Sequence, residues 1–285
     1  MGRVSDKVAL ITGAGKGQGR AHAVRLAEEG ADLVLVDICR QIDSVAYPLA
    51  TPDDLDQTAR QVEAQGRRAV TGVADVRDQA ALDAVVKQAI AELGKIDLVV
   101  ANAGIRTLAR FWELTDEQWE DSTAVNLTGV WRTAKAVAPH MIKRREGAMV
   151  LISSSNGYEA GANCAHYTAA KHGVIGLMRT IALELAPYGI RCNVVCPGAM
   201  NTDMLRWQGA YDMMAGHPGA NADQLDRAGH HWTALAHHGL LEPSETTSQA
   251  VLWLLSDEAK AVTGTVLPVD GGHNVLPGLN PSPVF

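Results

Sequence analysis

Val8-Ala9-Leu10-Ile11-Thr12-Gly13-Ala14-Gly15-Lys16-Gly17-Gln18-Gly19 is the stretch on which the fold reading turns. Its first five residues form a short apolar run of the kind that parallel strands show when both faces are covered. A helical pattern, Gly19–Glu29, follows directly. The glycines between let the backbone turn tightly and approach a pyrophosphate, whose charge meets the N-terminus of the helix. A glycine-rich turn alone is a weak signal; a strand before it and a helix after it make the reading much stronger. Gly13, Gly15, Lys16, Gly17, Gln18 and Gly19 are the candidate phosphate contacts.

The same alternation continues along the chain. Strands are expected at Asp32–Val36, Ala69–Val73, Leu98–Ala101, Met149–Ser153, Arg191–Val195 and Thr265–Val269. Helices are expected at Pro52–Gln65, Gln79–Leu93, Asp116–Arg144, Tyr167–Ala186 and Ser244–Leu255. Thr115 with Gln118 three residues on resembles a capping box, and Gly30, Gly66 and Gly94 stand where helices close on a left-handed residue. Seven strands alternating with helices predict an α/β fold, a Rossmann-type doubly wound parallel sheet in one domain over residues 1–285. Two segments break the rhythm: an insertion from Arg40, spanning 40–56 with the start of the next helix, and a stretch over 203–241 of weak periodicity. Long irregular segments in compact domains are usually functional.

Composition narrows the function. A net charge of −7 would repel a phosphate backbone, so no nucleic-acid partner is expected. No run approaches the roughly 18–20 apolar residues of a bilayer span, and the N-terminus leads straight into a strand without a signal peptide. Cys39, Cys164, Cys192 and Cys196 form no C-x-x-C pair; buried reduced thiols and a cytoplasmic protein are expected. His230-His231 and His237-His238 lack an accompanying cysteine or regularly spaced acid, so no metal is expected.

Asp37 ends the second strand, where an acidic side chain accepts hydrogen bonds from an adenosine ribose and repels a 2′-phosphate. Lys16 and Arg40 pull the other way, as cations that could welcome that phosphate. Asp37 would sit directly against the ribose, so NAD is favoured as cofactor. Tyr167 and Lys171 lie four apart at the start of a helix, one turn above the other on one face. A phenol with a pKa near 10 needs its anion stabilised to work at neutral pH. An ammonium about 4 Å away, at an effective dielectric near 20, contributes roughly 4 kcal/mol, or about three pK units. Ser153, Ser154 and Ser155 end the fifth strand, on the side where open α/β sheets bind ligands.

These motifs, in this order, resemble the short-chain dehydrogenase/reductase family over nearly the full chain. They are the turn Thr12–Gly19, Asn102-Ala103-Gly104, Asn126, the set Ser154, Tyr167 and Lys171, and Pro197-Gly198 with Thr202. The resemblance implies that Tyr167 is the general acid/base and that Ser154 orients the substrate oxygen. It further implies that Lys171 binds the nicotinamide ribose and depresses the Tyr167 pKa, and that Asn126 kinks its helix and holds a water. Ile38, Asp75 and Val76 would sit by the adenosine, and Thr202 by the carboxamide. Ala101 departs from the family, which often has Asn there; looser hydrogen bonding between adjacent strands is expected. A homotetramer is also implied, built on the two long helices and the last helix and strand, with Pro277–Phe285 reaching a neighbouring subunit.

The insertion, Ile42-Asp43-Ser44-Val45-Ala46-Tyr47-Pro48-Leu49-Ala50-Thr51-Pro52-Asp53-Asp54-Leu55, resembles that of the mycofactocin-coupled, carveol-dehydrogenase-like subgroup. That resemblance implies an apolar clamp of Val45, Tyr47 and Leu49 over the adenosine, an NAD that does not leave, and mycofactocin as the redox carrier that recycles it. Met204, Leu205, Trp207, Tyr211, Met213, Met214 and Trp232 suggest a lid over an apolar alcohol or ketone, secondary or terpenoid-like. Ordinary lid packing is an equal reading of the same residues, as is a structural role for Cys164 and His166. Two other functions stay open: a freely exchanging carbonyl or 3-oxoacyl thioester reductase, which Asp37 and the insertion disfavour, and an NAD-sensing protein without catalysis. The latter would not need Ser154, Tyr167 and Lys171 together.

Overall fold

The computed structural model describes residues 2–276 and Gly278. Seven strands form one parallel sheet in the order β3-β2-β1-β4-β5-β6-β7. They are β1 (Val8–Thr12), β2 (Asp32–Asp37), β3 (Ala69–Val73), β4 (Leu98–Ala101), β5 (Gly147–Ile152), β6 (Ile190–Pro197) and β7 (Val266–Val269). Successive strand residues point to opposite faces. Leu10, Val34, Val99, Met149 and Val194 therefore pack one way, and Ile11, Leu35, Val100, Val150 and Val195 the other. Both faces are covered, which is why the strands read as unbroken apolar runs.

One face is covered by α3 (Gln79–Leu93), α5 (Gly129–Arg144) and α6 (Ala165–Leu185), the other by α1 (Gly17–Glu28), α2 (Pro52–Glu63) and α9 (Thr247–Leu255). β1 sits between β2 and β4, where the order reverses. The crevice outside the carboxyl ends of these strands is where such sheets take ligands.

The structure corrects two expectations. The helix expected over 116–144 is interrupted: α4 (Asp116–Thr123) passes into a π turn (Ala124–Thr128) before α5 begins. One extra residue in a turn leaves the 3.6-residue pattern intact on either side, so periodicity does not register it. The stretch over 203–241 is not irregular. It holds α7 (Gln208–Ala215) and α8 (Ala222–His231), the latter opened by a reciprocal capping box between Asn221 and Gln224. These helices bury Leu205, Ala210, Met214 and Leu225 in a small cluster of their own; Gly216, Pro218 and Gly219 between them hide the pattern. At Ala101 the ladder between β1 and β4 has already ended, at Ile11 and Val100, while Ala101 pairs with Leu151 on the other side and Asn102 bonds back to Thr12. The tail Pro277–Phe285 lies, apart from Gly278, outside the described residues.

Candidate active site

Six strand ends and the first two turns of α6 enclose one cavity of about 410 Å³. Gly13, Lys16, Gly17 and Gln18 line it from the turn after β1, Asp37 and Ile38 from β2, and Asp75 and Val76 from beyond β3. Asn102, Ala103 and Gly104 line it after β4, Ser154 after β5, and Pro197, Gly198 and Thr202 at the end of β6. Tyr167 and Lys171 enter from α6. Gly15, Gly19 and Asn126 are not part of the wall; they shape it from behind.

The cradle is built from backbone. Gly13 has φ +67°, and a Cβ on Gly19 would lie 1.9 Å from the Gly13 carbonyl oxygen. The turn therefore folds back on its own helix at a distance no side chain permits. Thr12 Oγ1 accepts from the backbone N–H of Asn102 and Ala103, at 3.1 and 3.2 Å, and Asn102 Nδ2 donates to the Thr12 oxygen at 2.9 Å. These bonds tie the segment after β4 to the end of β1 beside the cavity. The space at the N-terminus of α1 fits a pyrophosphate, and the charge there favours one.

Asp37 is buried, and its Oδ2 accepts from Gly15 N at 2.9 Å. Burial pushes its carboxyl up, against the backbone N–H bonds that hold it down. The backbone N–H groups of Cys39 and Ile38 also donate to it, and a carboxylate has about four acceptor positions, so one remains for a ribose hydroxyl. The two competing cations are engaged elsewhere. Lys16 Nζ meets Asp203 Oδ2 at 2.6 Å, and Arg40 meets Asp75 Oδ2 at 3.1 Å. Asp75 is itself held below the usual carboxylate range: burial opposes this, but hydrogen bonds from Arg77 and the charges of Arg77 and Arg40 prevail.

The insertion folds over this end and is ordered by one side chain. Gln41 Nε2 donates to the Val45 and Tyr47 oxygens, at 2.8 and 3.2 Å, and its Oε1 accepts from Leu49 N at 3.1 Å. Ile42, Val45, Tyr47 and Ala50 are buried as a result. Tyr47, Pro48, Leu49 and Ala50 line the cavity, whereas Val45 packs into the core behind it. The Tyr47 ring lies 6.2 Å from that of Trp207, so the insertion meets the 203–241 segment across the cavity. Pro52–Asp56, expected within the insertion, begin α2 behind a Thr51–Asp54 capping box.

Tyr167 and Lys171 are both buried, with the Lys171 ammonium 5.5 Å from the centre of the Tyr167 ring. Lys171 Nζ donates to the Ile152 oxygen at 2.9 Å, and Ser153 Oγ donates to the Lys171 carbonyl at 2.8 Å. These bonds pin α6 to the end of β5. The depressed phenol expected from Lys171 is not what the fold yields. Burial raises the Tyr167 pKa above its ordinary value, and the Arg106 guanidinium and a hydrogen bond with Ser154 only offset part of this. Lys171, buried in its turn, is lowered to about 8. An ammonium that is itself costly to charge, and is turned to a carbonyl, is a weak stabiliser of a neighbouring anion.

Asn126 lies at the centre of the π turn and is fully buried. Its Nδ2 donates to the Ile105 and Ser122 oxygens, at 2.8 and 2.9 Å, and its Oδ1 accepts from Ile105 N at 3.1 Å. It thus clamps the segment after β4 to the π turn.

That segment carries the residue that sequence reasoning missed. Arg106 N donates to the Tyr47 hydroxyl at 3.0 Å, and its guanidinium carbon stands 5.6 Å from the centre of the Tyr167 ring. A cation two residues beyond Gly104, leaving the sheet at its switch point, was the available signal. Of the expected lid residues, Met204, Leu205, Met213, Met214 and Trp232 line the cavity. Trp207 turns to Tyr47 and Tyr211 into the lid's own cluster. His166, beside Tyr167, is buried on Thr107, 2.5 Å away. Among the described residues, no group of three His, Cys, Asp or Glu could hold a metal ion.

Comparison with known proteins agrees with this arrangement. The profile of the short chain dehydrogenases matches residues 7–210. A (-)-trans-carveol dehydrogenase from Rhodococcus erythropolis is 44% identical over 95% of this chain and 99% of its own length. The crystal structure of a carveol dehydrogenase from Mycobacterium avium, in complex with NAD, superimposes with a TM-score of 0.93 at 43% identity, covering 97% of this chain and all of that one. A short chain dehydrogenase from Mycobacterium paratuberculosis bound to NAD gives 0.86 at 42%, covering 96% and 100%. With the sheet order, the backbone cradle and the Ser–Tyr–Lys cluster in one cavity, the chain belongs to the short chain dehydrogenase family of oxidoreductases.

Proposed function

We propose that this chain is an NAD-dependent dehydrogenase interconverting an apolar secondary or terpenoid-like alcohol and its carbonyl compound, with Tyr167 as the proton-transfer group. The observation that carries the reading is the single cavity joining the glycine cradle, the Ser154–Tyr167–Lys171 cluster and a wall of Met204, Met213 and Met214. The names of the relatives, carveol dehydrogenases and NAD complexes, support it.

Bound at the cradle, the nicotinamide supplies the hydride chemistry. The protein handles the proton. Tyr167 takes the hydroxyl proton of the alcohol in oxidation and returns it to the carbonyl oxygen in reduction. Ser154 hydrogen-bonds the same substrate oxygen, and Lys171 holds the ribose and fixes α6 against β5. Asn126 supports a water-linked path for the proton through its clamp on the segment after β4. Because burial raises the phenol, oxidation, which needs the phenolate, should accelerate with rising pH; reduction, which needs the phenol, should be flat at neutral pH and below. The test is a screen of alcohols with an artificial electron acceptor, with and without free NAD. Absence of alcohol-dependent reduction across neutral, acidic and aromatic alcohols would count against the reading.

Preference for NAD rests on Asp37, with Lys16 and Arg40 each already in an ion pair. Asp37→Ser is expected to lower affinity for NAD about 10-fold or more, while raising relative affinity for NADP. Titration of the stripped protein with each cofactor reads this, and an unchanged ratio would remove Asp37 from the ribose.

The buried insertion supports a cofactor that stays bound and is recycled by mycofactocin. Gel-filtered protein, precipitated with acid, should then release close to one NAD per chain; an empty supernatant would end the retention reading. The same column reports mass. We expect that of four chains, because α4, α5 and α6 expose Trp119, Trp131 and Leu183. No described helix is long and apolar enough to cross a membrane, and the four cysteines carry no disulfide, consistent with the cytoplasm, which cell fractionation would check.

A further inference from the structure

Within the cavity wall, Arg106 is out of keeping with its neighbours. Around it stand Tyr47, Tyr167, Cys164 and Met213. The hydrogen-bond acceptors its guanidinium meets are sulfur: Nη2 lies 3.3 Å from Met213 Sδ and 3.8 Å from Cys164 Sγ, both weak acceptors. Its Nε is buried and has no hydrogen-bond partner. No carboxylate pairs with it among the described residues, although Arg20, Arg25, Arg40, Arg77 and Arg144 each have one. Arg106 is half-buried, and a cation partly withdrawn from water without a counter-charge is costly to keep. A guanidinium is a planar fork of five donors that matches a carboxylate with two parallel bonds.

The position matters as much as the charge. Arg106 is anchored by its own backbone N–H on Tyr47 and lies against the ring of the tyrosine that would receive the substrate hydroxyl. A molecule of a few carbons could place a hydroxyl at Tyr167 and an anionic oxygen at Arg106 together. Met200, Leu205, Met213, Met214 and Trp232 add apolar lining to the same cavity. We propose that Arg106 forms a carboxylate subsite, so that within this class the preferred substrate is a secondary alcohol that also carries a carboxylate on an otherwise apolar skeleton. This rests on the dehydrogenase reading for the reacting hydroxyl. It does not follow from the relatives' names, one of which specifies a neutral terpenoid alcohol.

The test compares wild type with Arg106→Met and Arg106→Lys. The first readout is binding of cyclohexanecarboxylate by calorimetry to the NAD-loaded protein, which needs no turnover. Wild type should bind it about 100-fold more tightly than Arg106→Met, with Arg106→Lys between. The second readout is kcat/KM for 3-hydroxycyclohexanecarboxylate and for 3-methylcyclohexanol. The ratio of acid to neutral alcohol should fall about 100-fold in Arg106→Met and be partly restored in Arg106→Lys. Equal carboxylate binding by wild type and Arg106→Met would overturn the subsite, whatever the activity. So would an equal loss on both alcohols with an alkaline shift of the pH profile, because Arg106 would then act on Tyr167 alone. Carboxylate binding that depends on Arg106, in a protein that oxidises neither alcohol, would uphold the subsite and bring down the dehydrogenase reading instead.

Discussion

Tyr167→Phe is expected to lower alcohol oxidation about 10³-fold in a dye-linked assay while leaving the NAD content of the protein unchanged. The substitution removes one oxygen and keeps the ring, which is 6% exposed and packed between Arg106 and Lys171. Cavity and strain costs are therefore small, and Lys171 keeps its bond to Ile152. What is lost is the proposed proton-transfer group. Residual activity in the mutant should also lose the rise with pH expected of the wild type, since no phenolate can form. Wild-type turnover in Tyr167→Phe would remove the proposed mechanism, even with the fold and cofactor intact. A fall in NAD content parallel to the fall in activity would instead make Tyr167 chiefly a cofactor contact.

Gly19→Ala should be the most damaging single-methyl change in the cofactor cradle. The added Cβ would fall 1.9 Å from the Gly13 oxygen and 2.8 Å from Asn102 Nδ2. The first is backbone and cannot swing away, so the turn must open or α1 must shift from the sheet. Overpacking of this kind costs roughly 1–3 kcal/mol, occasionally more. Here it also spreads the backbone N–H groups that would receive the pyrophosphate. A melting temperature lowered by several degrees and NAD content well below one per chain are expected. Gly176→Ala is the control. That glycine lies in α6 with open space where the Cβ would go, so the change should be neutral or stabilise by about 0.5–1 kcal/mol. Similar damage from both variants would show that any loss of helical glycine is harmful, and the close approach at Gly19 would lose its meaning.

Much of the site was legible because each part is local in sequence. The Gly13–Gly19 turn sits between a strand and a helix that both announce themselves. Tyr167 and Lys171 are one helical turn apart, and Asp37 ends a strand whose length is plain from its apolar run. Arg106 was not legible in this way. Its neighbours come from residues 47, 164, 167 and 213, and no spacing links these positions. The same holds for Gln41, whose partners are backbone atoms of a loop with no period.

The electrostatics separate the two levels most clearly. Sequence spacing put an ammonium beside a phenol and predicted a depressed pKa from their charges alone. Folding added the burial of both groups, which penalises each charged form, and turned Lys171 toward the Ile152 carbonyl. Composition, periodicity and motif order by themselves determined the parallel sheet and the glycine turn and nominated Tyr167 as the reacting group, because those depend on neighbours along the chain. The tertiary structure alone decided which charges are solvated, which are paired as Lys16 is with Asp203, and which is left facing the cavity as Arg106 is. Solvation and pairing depend on distances between segments far apart in sequence, and only packing sets those distances.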